Sequence, residues 1–93
     1  MHIGALRIEL HLGESSSLKE KRGILRRLKD RLKNKFNVSV AEVEEMDKWQ
    51  KAVLGVVTIS NDKKHLSSCL DSIVDFIEAE NRLMVLDHTT EIL

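Results

Sequence analysis

The sequence of 93 residues contains no proline, no tyrosine and only one cysteine, Cys69. A lone cysteine cannot form an internal disulfide, which is typical of proteins from a reducing compartment. No apolar run approaches the ~20 residues that a membrane-spanning helix requires. Met1–Gly4 has no charged region followed by a long apolar run, so we expect no secretory signal. These absences predict a cytoplasmic protein with no membrane partner.

Motifs for catalysis are also absent. The four glycines form no phosphate-binding loop, and no cysteine or serine stands with histidine and aspartate in a nucleophilic pattern. His11 and His88 could meet across neighbouring strands, but two ligands do not make a metal site. The sequence therefore predicts a non-enzymatic protein with no catalytic residue, no metal, no cofactor and no small-molecule substrate. A small hydrolase would require a polar pocket near Arg7 or His11.

Hydrophobic periodicity predicts two helices. Ser17 and Glu20 have the spacing of a capping box, in which each side chain accepts a hydrogen bond from the other residue's backbone N–H. The first helix follows and should end near Asn34, and Asn61–Asp62 can cap the second helix. Each helix has one apolar stripe, formed by Leu18, Leu25, Leu28, Leu32 and Phe36 in the first and by Leu66, Cys69, Leu70, Ile73 and Ile77 in the second.

Four segments have the pattern of β-strands. Ile3–Leu12 alternates between apolar and polar residues, and Val38–Glu45 breaks such alternation in a way that indicates a bulge near Ala41. Lys51–Ser60 is nearly all apolar, which suits a central strand, and Arg82–Leu93 is extended. The order βαββαβ with right-handed crossovers predicts one ferredoxin-like α+β domain over residues 1–93: a four-stranded antiparallel sheet with two helices on one face.

The other face of this sheet would be open. If Leu54 and Val56 point toward the helices, then Val53, Val57 and Ile59 point outward. Such a patch is too apolar to remain in water, and burial against a second copy is the simplest remedy. We therefore predict a homodimer whose interface contains Val53, Val57 and Ile59, with polar residues of the same face beside them (Arg7, Glu9 and His11).

The charge is unevenly distributed along the chain. Lys19–Lys35 contains nine basic and two acidic residues, a local net of +7, whereas the remaining residues have six basic and thirteen acidic residues. On a helix with about 100° per residue, five of these cations fall between about 20° and 100°, away from the apolar stripe near 310°. We call these five the basic row: Lys19, Arg22, Arg26, Lys29 and Lys33.

A continuous row of cations is typical of a surface that binds a polyanion. We interpret the five side chains as contacts to the phosphates of structured RNA, because phosphate contacts need little sequence readout. Two alternatives are a protein-interaction module that pairs the row with an acidic surface, and a solvated face that only aids solubility. The acidic surface could belong to another protein or to Glu42, Glu44, Glu45 and Asp47 of another copy.

The three aromatic residues do not suit a base-stacking sheet. Phe36, Trp49 and Phe76 are poorly placed for the exposed strand positions that stack unpaired bases. We interpret Trp49 as an anchor that packs the turn between the second and third strands onto the core. The alternative is an exposed Trp49 that contacts a partner.

Four blocks of the sequence carry a resemblance to a known family. Read in order, GALRIEL (4–10), SLKEKR (17–22), NVSVAEV (37–43) and WQKAVLG (49–55) resemble the YlxP-like family of small bacterial proteins of unknown function. The resemblance implies a ferredoxin-like fold and a link to translation, and it favours ribosomal RNA as the partner of the row. It supplies no catalytic residues. Gly23 stands where relatives commonly have a larger residue, which we expect to weaken the first helix by up to ~1 kcal/mol.

Overall fold

The computed structural model describes residues 1–93 and has the predicted order of elements. A ferredoxin-like α+β fold is confirmed, because all four strands join one antiparallel sheet and the order of strands is β2-β3-β1-β4. The strands are β1 (His2–His11), β2 (Ser39–Glu44), β3 (Lys51–Ser60) and β4 (Met84–Ile92), and the helices are α1 (Leu18–Lys35) and α2 (Lys63–Glu78).

The core lies between the helices and one face of the sheet. The central strands are β1 and β3, as predicted, and their inward residues alternate with outward ones, so that Ile8 faces the core beside Leu54. Leu32 of α1 and Ile73 of α2 close the core from the helical side and are fully buried. Both helices form because an apolar stripe at helical spacing can be buried here.

Caps fix where the helices begin. The Ser17 hydroxyl accepts a hydrogen bond from the Glu20 backbone N–H at 3.1 Å, as predicted. The reciprocal half of the predicted box is wrong, because the Glu20 carboxylate instead accepts from the backbone N–H and the hydroxyl of Ser16, both at 3.0 Å. These bonds, first from the backbone N–H and then from the hydroxyl, lower the pKa of Glu20. Asp62 caps α2, as predicted.

Two bulges bend the outer strands. The bulge in β2 lies between Glu42 and Glu44, slightly later than predicted, and it leaves Val43 outside the regular pairing with β3. Gly55 of β3 makes room for this side chain, since a Cβ there would lie 3.1 Å from a Val43 methyl group. A second bulge, which the sequence analysis missed, shifts the pairing of β4 with β1.

Candidate nucleic-acid interface

The basic row occupies the solvent side of α1. Four of its five side chains are exposed and Lys29 is half-buried. None of the five has a carboxylate oxygen within 4.0 Å, whereas ion pairs form at other cations of the chain. The helix therefore presents five cations (Lys19, Arg22, Arg26, Lys29 and Lys33) whose charge is not neutralised within the protein.

Most of the remaining cations of α1 interact with other side chains of the protein. Arg31 forms an ion pair with Glu80, and its guanidinium lies 5.4 Å from the ring centroid of Phe76. The Lys35 ammonium lies 5.1 Å from the same ring centroid, within the range of a cation–π interaction. Arg27 is exposed and has no ion pair. The local charge of this segment is thus divided between cations that hold the fold and cations that are free.

Lys21 is the most deeply buried cation of α1 and has the most polar contacts. Its side chain is only 1% exposed, and its ammonium forms an ion pair with Glu42 of β2 at 2.7 Å. The same ammonium donates to the backbone carbonyls of Glu45 and Lys48, each at 2.7 Å. Two of the three N–H donors of the ammonium therefore form hydrogen bonds, and the Oε2 atom of Glu42 is buried with the ion pair but has no hydrogen-bond partner. Lys21 therefore ties the β2–β3 loop (residues 45–50) to α1.

Sequence reasoning missed the role of Lys21, although a signal was present. On the helical projection that places Leu18 at zero, Lys21 falls at about 300°, near the centre of the apolar stripe. A lysine in that position must be buried or must disrupt the packing. Lysines are almost never fully buried without a partner, so the position alone predicts an acceptor from a neighbouring element.

Trp49 is 56% exposed, so its interpretation as the anchor of the β2–β3 loop is wrong. The reason is that Lys21 already anchors the loop through two carbonyls. Gln50 holds the carboxyl-terminal end of the loop by hydrogen bonds. The side-chain amide of Gln50 donates to the carbonyl of Ser15 at 3.2 Å, and its backbone carbonyl accepts from Leu12 at 2.8 Å. Trp49 is left at the surface of a loop that is held at both ends.

Some of the acidic residues that could pair with the basic row of another copy already form ion pairs within their own chain. Glu42 pairs with Lys21, and Glu44 accepts a hydrogen bond from the Arg7 guanidinium at 2.8 Å. This bond is the main reason that the pKa of Arg7 is raised. Two of the four acidic candidates therefore have intramolecular partners, which leaves Glu45 and Asp47 without ion pairs.

The open face of the sheet differs from the prediction at one residue. Val57 is 42% exposed and Ile59 is 54% exposed, but Val53 on the same face is only 1% exposed. The expectation that Val53 is exposed is therefore wrong. Arg7 and Glu44 belong to the strands on either side of β3, and their ion pair crosses β3 beside Val53, the residue that lies opposite Glu44.

Exposed apolar residues lie at both ends of this face, with Val57 and Ile59 at one end and Met84 at the other. Ile3 lies opposite Ile59 of β3, and it exchanges two backbone hydrogen bonds with Leu93 on its other side. In the next row, Ala5 lies opposite Val57. The Arg7 cluster follows, and it separates these two rows from Met84 at the far end of the face.

The histidines form no common site. His11 lies opposite Met84 on β4, whereas His88 lies opposite Ile8, so the two histidines do not meet across these strands. Cys69 packs against the edge of the core, where burial raises the pKa of its thiol. Neither helix is long and apolar enough to cross a membrane.

The fold and the exposed cations together define a small ferredoxin-like α+β domain with a cationic helix surface. Residues 3–90 match a family described as "Protein of unknown function (DUF503)", and the chain belongs to this family. The chain is also similar to "Uncharacterized protein YlxP" of Bacillus subtilis (strain 168), with 35% identity over 77 residues. That match covers 83% of this chain and 84% of the Bacillus protein, so the resemblance to the YlxP-like family is confirmed.

Proposed function

We propose that this protein is a non-enzymatic module that docks on structured RNA through the basic row, with ribosomal RNA as its target in ribosome maturation or translation. One observation carries the proposal: five cations form a continuous row along α1, and none has an ion-pair partner. Each of the five side chains is assigned to a phosphate contact.

The dimensions of the row fit an extended polyanion. From Lys19 to Lys33 the helix rises about 21 Å, and neighbouring members of the row are ~5–6 Å apart. Like charges at this spacing repel one another and destabilise a helix by a few tenths of a kcal/mol per pair. A phosphate backbone relieves this repulsion along the whole row and releases its own counterions, which favours binding at low salt.

Structured RNA fits the row better than a single strand does. No aromatic side chain belongs to the row, so it offers charge at fixed positions and nothing on which a base could stack. Rigid phosphates at a regular spacing match side chains on a rigid helix. The link to translation that the resemblance to the YlxP-like family implies favours ribosomal RNA among structured RNAs.

The proposal is tested by co-sedimentation of the protein with ribosomes and ribosomal subunits at low and high salt. We expect binding at low salt that is lost at high salt, and we expect the double variant Arg22→Ala/Arg26→Ala to bind weakly under both conditions. The matched control is Lys63→Ala/Lys64→Ala. It removes the same charge from two exposed residues of α2 that also have no ion pairs.

Equal losses in both double variants would contradict the proposal, since net charge rather than the row would then govern binding. Failure of the wild-type protein to bind ribosomes or structured RNA would favour the rival function, an interaction of the row with an acidic protein. The ion pairs of Glu42 and Glu44 within the chain make a second copy a poor candidate for that acidic partner.

We further propose that the apolar end of the open face forms a homodimer. The exposed residues support a two-fold axis parallel to the strands and between β1 and β3, because each row then meets the same row of the second copy. Ile3 would lie over Ile59, and the small Ala5 over the larger Val57. Such self-complementarity is what an isologous interface requires.

Light scattering on Val57→Lys tests this assembly. The variant places a charge in the proposed interface and should shift the protein toward monomer, with an unchanged far-ultraviolet circular dichroism spectrum. Met84→Lys is the control, because Met84 is also exposed but lies opposite His11, about 20 Å along β1 from Ala5. A wild-type protein that is monomeric at high concentration would refute the dimer.

A further inference from the structure

The β2–β3 loop combines an exposed aromatic residue with a fixed backbone. Trp49 is 56% exposed, yet the loop on which it stands is held by the buried ammonium of Lys21. Glu45, whose carbonyl accepts from that ammonium, has a φ of 62°, a left-handed conformation that is unfavourable for residues other than glycine. A buried cation and a residue with an unfavourable backbone conformation therefore hold this loop in one shape.

The cavity beside Trp49 is lined by cations, although Glu45 and Asp47 belong to the same loop. Trp49 lines this shallow cavity of about 360 Å³ together with His11, Lys48, Gln50 and Lys51, and no carboxylate belongs to that lining. Neither Lys48 nor Lys51 forms an ion pair within the chain. An aromatic ring in water between unpaired lysines is the arrangement with which proteins bind unpaired bases: the ring stacks on the base and the cations contact the phosphates.

We propose that Trp49 is a stacking platform for one unpaired base of an RNA, with Lys48 and Lys51 as contacts to the neighbouring phosphates. This inference rests on the proposed RNA-docking function and deepens it, because the row itself reads only phosphates. Trp49 lies in a loop and not on a strand, so stacking at this residue differs from stacking on the face of a sheet. The RNA bound at Trp49 would thus carry an unpaired nucleotide.

The loop and the row lie on connected parts of the molecule. Lys21, which holds the loop, directly precedes Arg22 of the row in α1. A rigid connection of this kind fixes the distance between the stacking site and the phosphate contacts.

The single tryptophan makes the inference directly measurable, since all tryptophan fluorescence comes from residue 49. Titration with a labelled RNA hairpin that has an unpaired loop should quench this fluorescence, whereas a fully paired duplex of similar length should quench it much less. By anisotropy of the labelled RNA, Trp49→Ala should weaken binding of the hairpin by about tenfold or more and leave the duplex nearly unaffected. Trp49→Phe retains a stacking ring and should restore most of the affinity.

The outcomes separate this inference from the proposed function. If Arg22→Ala/Arg26→Ala weakens RNA binding but neither fluorescence nor Trp49→Ala responds to the unpaired loop, stacking is refuted and the docking function stands. If the wild-type protein binds neither RNA, both are refuted. If Trp49→Ala weakens hairpin and duplex equally, or if its circular dichroism spectrum differs from that of Trp49→Phe, the ring has a structural role and stacking is again refuted.

Discussion

Lys21 and Arg22 are consecutive residues of α1, yet their surroundings differ completely. Lys21 is 1% exposed and gives its ammonium to one carboxylate and two carbonyls, whereas Arg22 is exposed and has no ion pair. The cations of this segment therefore have two different roles. A cation facing the sheet is a structural part of the protein, and a cation on the solvent side remains available for a partner.

The two sides of α1 also differ in how the charge affects stability. Burial of an ammonium removes it from water, and only a complete set of acceptors offsets that loss. The exposed row loses no hydration, but its members repel one another along the helix. We infer that the buried cation contributes to stability through its acceptors, while the row lowers stability slightly.

Replacement of the buried cation should have the largest effect. Lys21→Met keeps the length of the side chain but leaves the Glu42 carboxylate without its cation and two loop carbonyls without their donor. We expect a loss of about 3 kcal/mol in the free energy of unfolding, the lower end for a broken buried pair, because Glu42 is partly exposed to water. Chemical denaturation measures the loss.

Arg22→Met is the matched control for this comparison, since it changes the adjacent residue on the other side of the helix. Its stability should remain within about 0.5 kcal/mol of the wild type, as is usual for surface substitutions. Equal effects of the two substitutions would show that the division of α1 into structural and free cations is wrong.

A smaller effect is expected from the solvent side of the helix, at Gly23. No atom lies within 4 Å of the position that a Cβ would occupy there, so packing places no demand for glycine. Gly23→Ala should therefore raise the free energy of unfolding by about 1 kcal/mol through helix propensity alone. A decrease in thermal or chemical stability would show that this side of α1 contacts other parts of the protein.

The smallest effect concerns the start of α1 and depends on pH. The pKa of Glu20 is lowered in the folded protein by hydrogen bonds from Ser16, so its contribution to stability is present at neutral pH and is lost as the pH falls through the lowered pKa. Glu20→Gln should therefore be less stable than the wild type at neutral pH and equally stable in strong acid. A difference that persists in acid would contradict this assignment.

Most of the fold could be predicted from the sequence because local signals agree with one another. Alternation in β1, the apolar run of β3 and the stripes of both helices all favour one topology, and the structure has it. The bulges were harder to place. A bulge depends on which residue of the neighbouring strand leaves room for it, as Gly55 does for Val43, and that pairing is not a local property.

The candidate site was predictable only in part, for a similar reason. Helical spacing placed the five residues of the row on one flank, but whether a cation is free depends on acceptors distant in sequence. Lys21 meets Glu42 and the β2–β3 loop, more than twenty residues away. Trp49 was misinterpreted because an exposed tryptophan is understandable only after the real anchor of its loop is known.

The most direct test of the central claim is the salt dependence of binding to a structured RNA. If the basic row contacts phosphates, the plot of log affinity against log salt should be flatter for Arg22→Ala/Arg26→Ala than for the wild type. The slope should change by roughly 0.7–0.9 for each lost contact. For Lys63→Ala/Lys64→Ala we predict a slope like that of the wild type. Identical slopes for all three proteins would contradict the assignment of the row to phosphates.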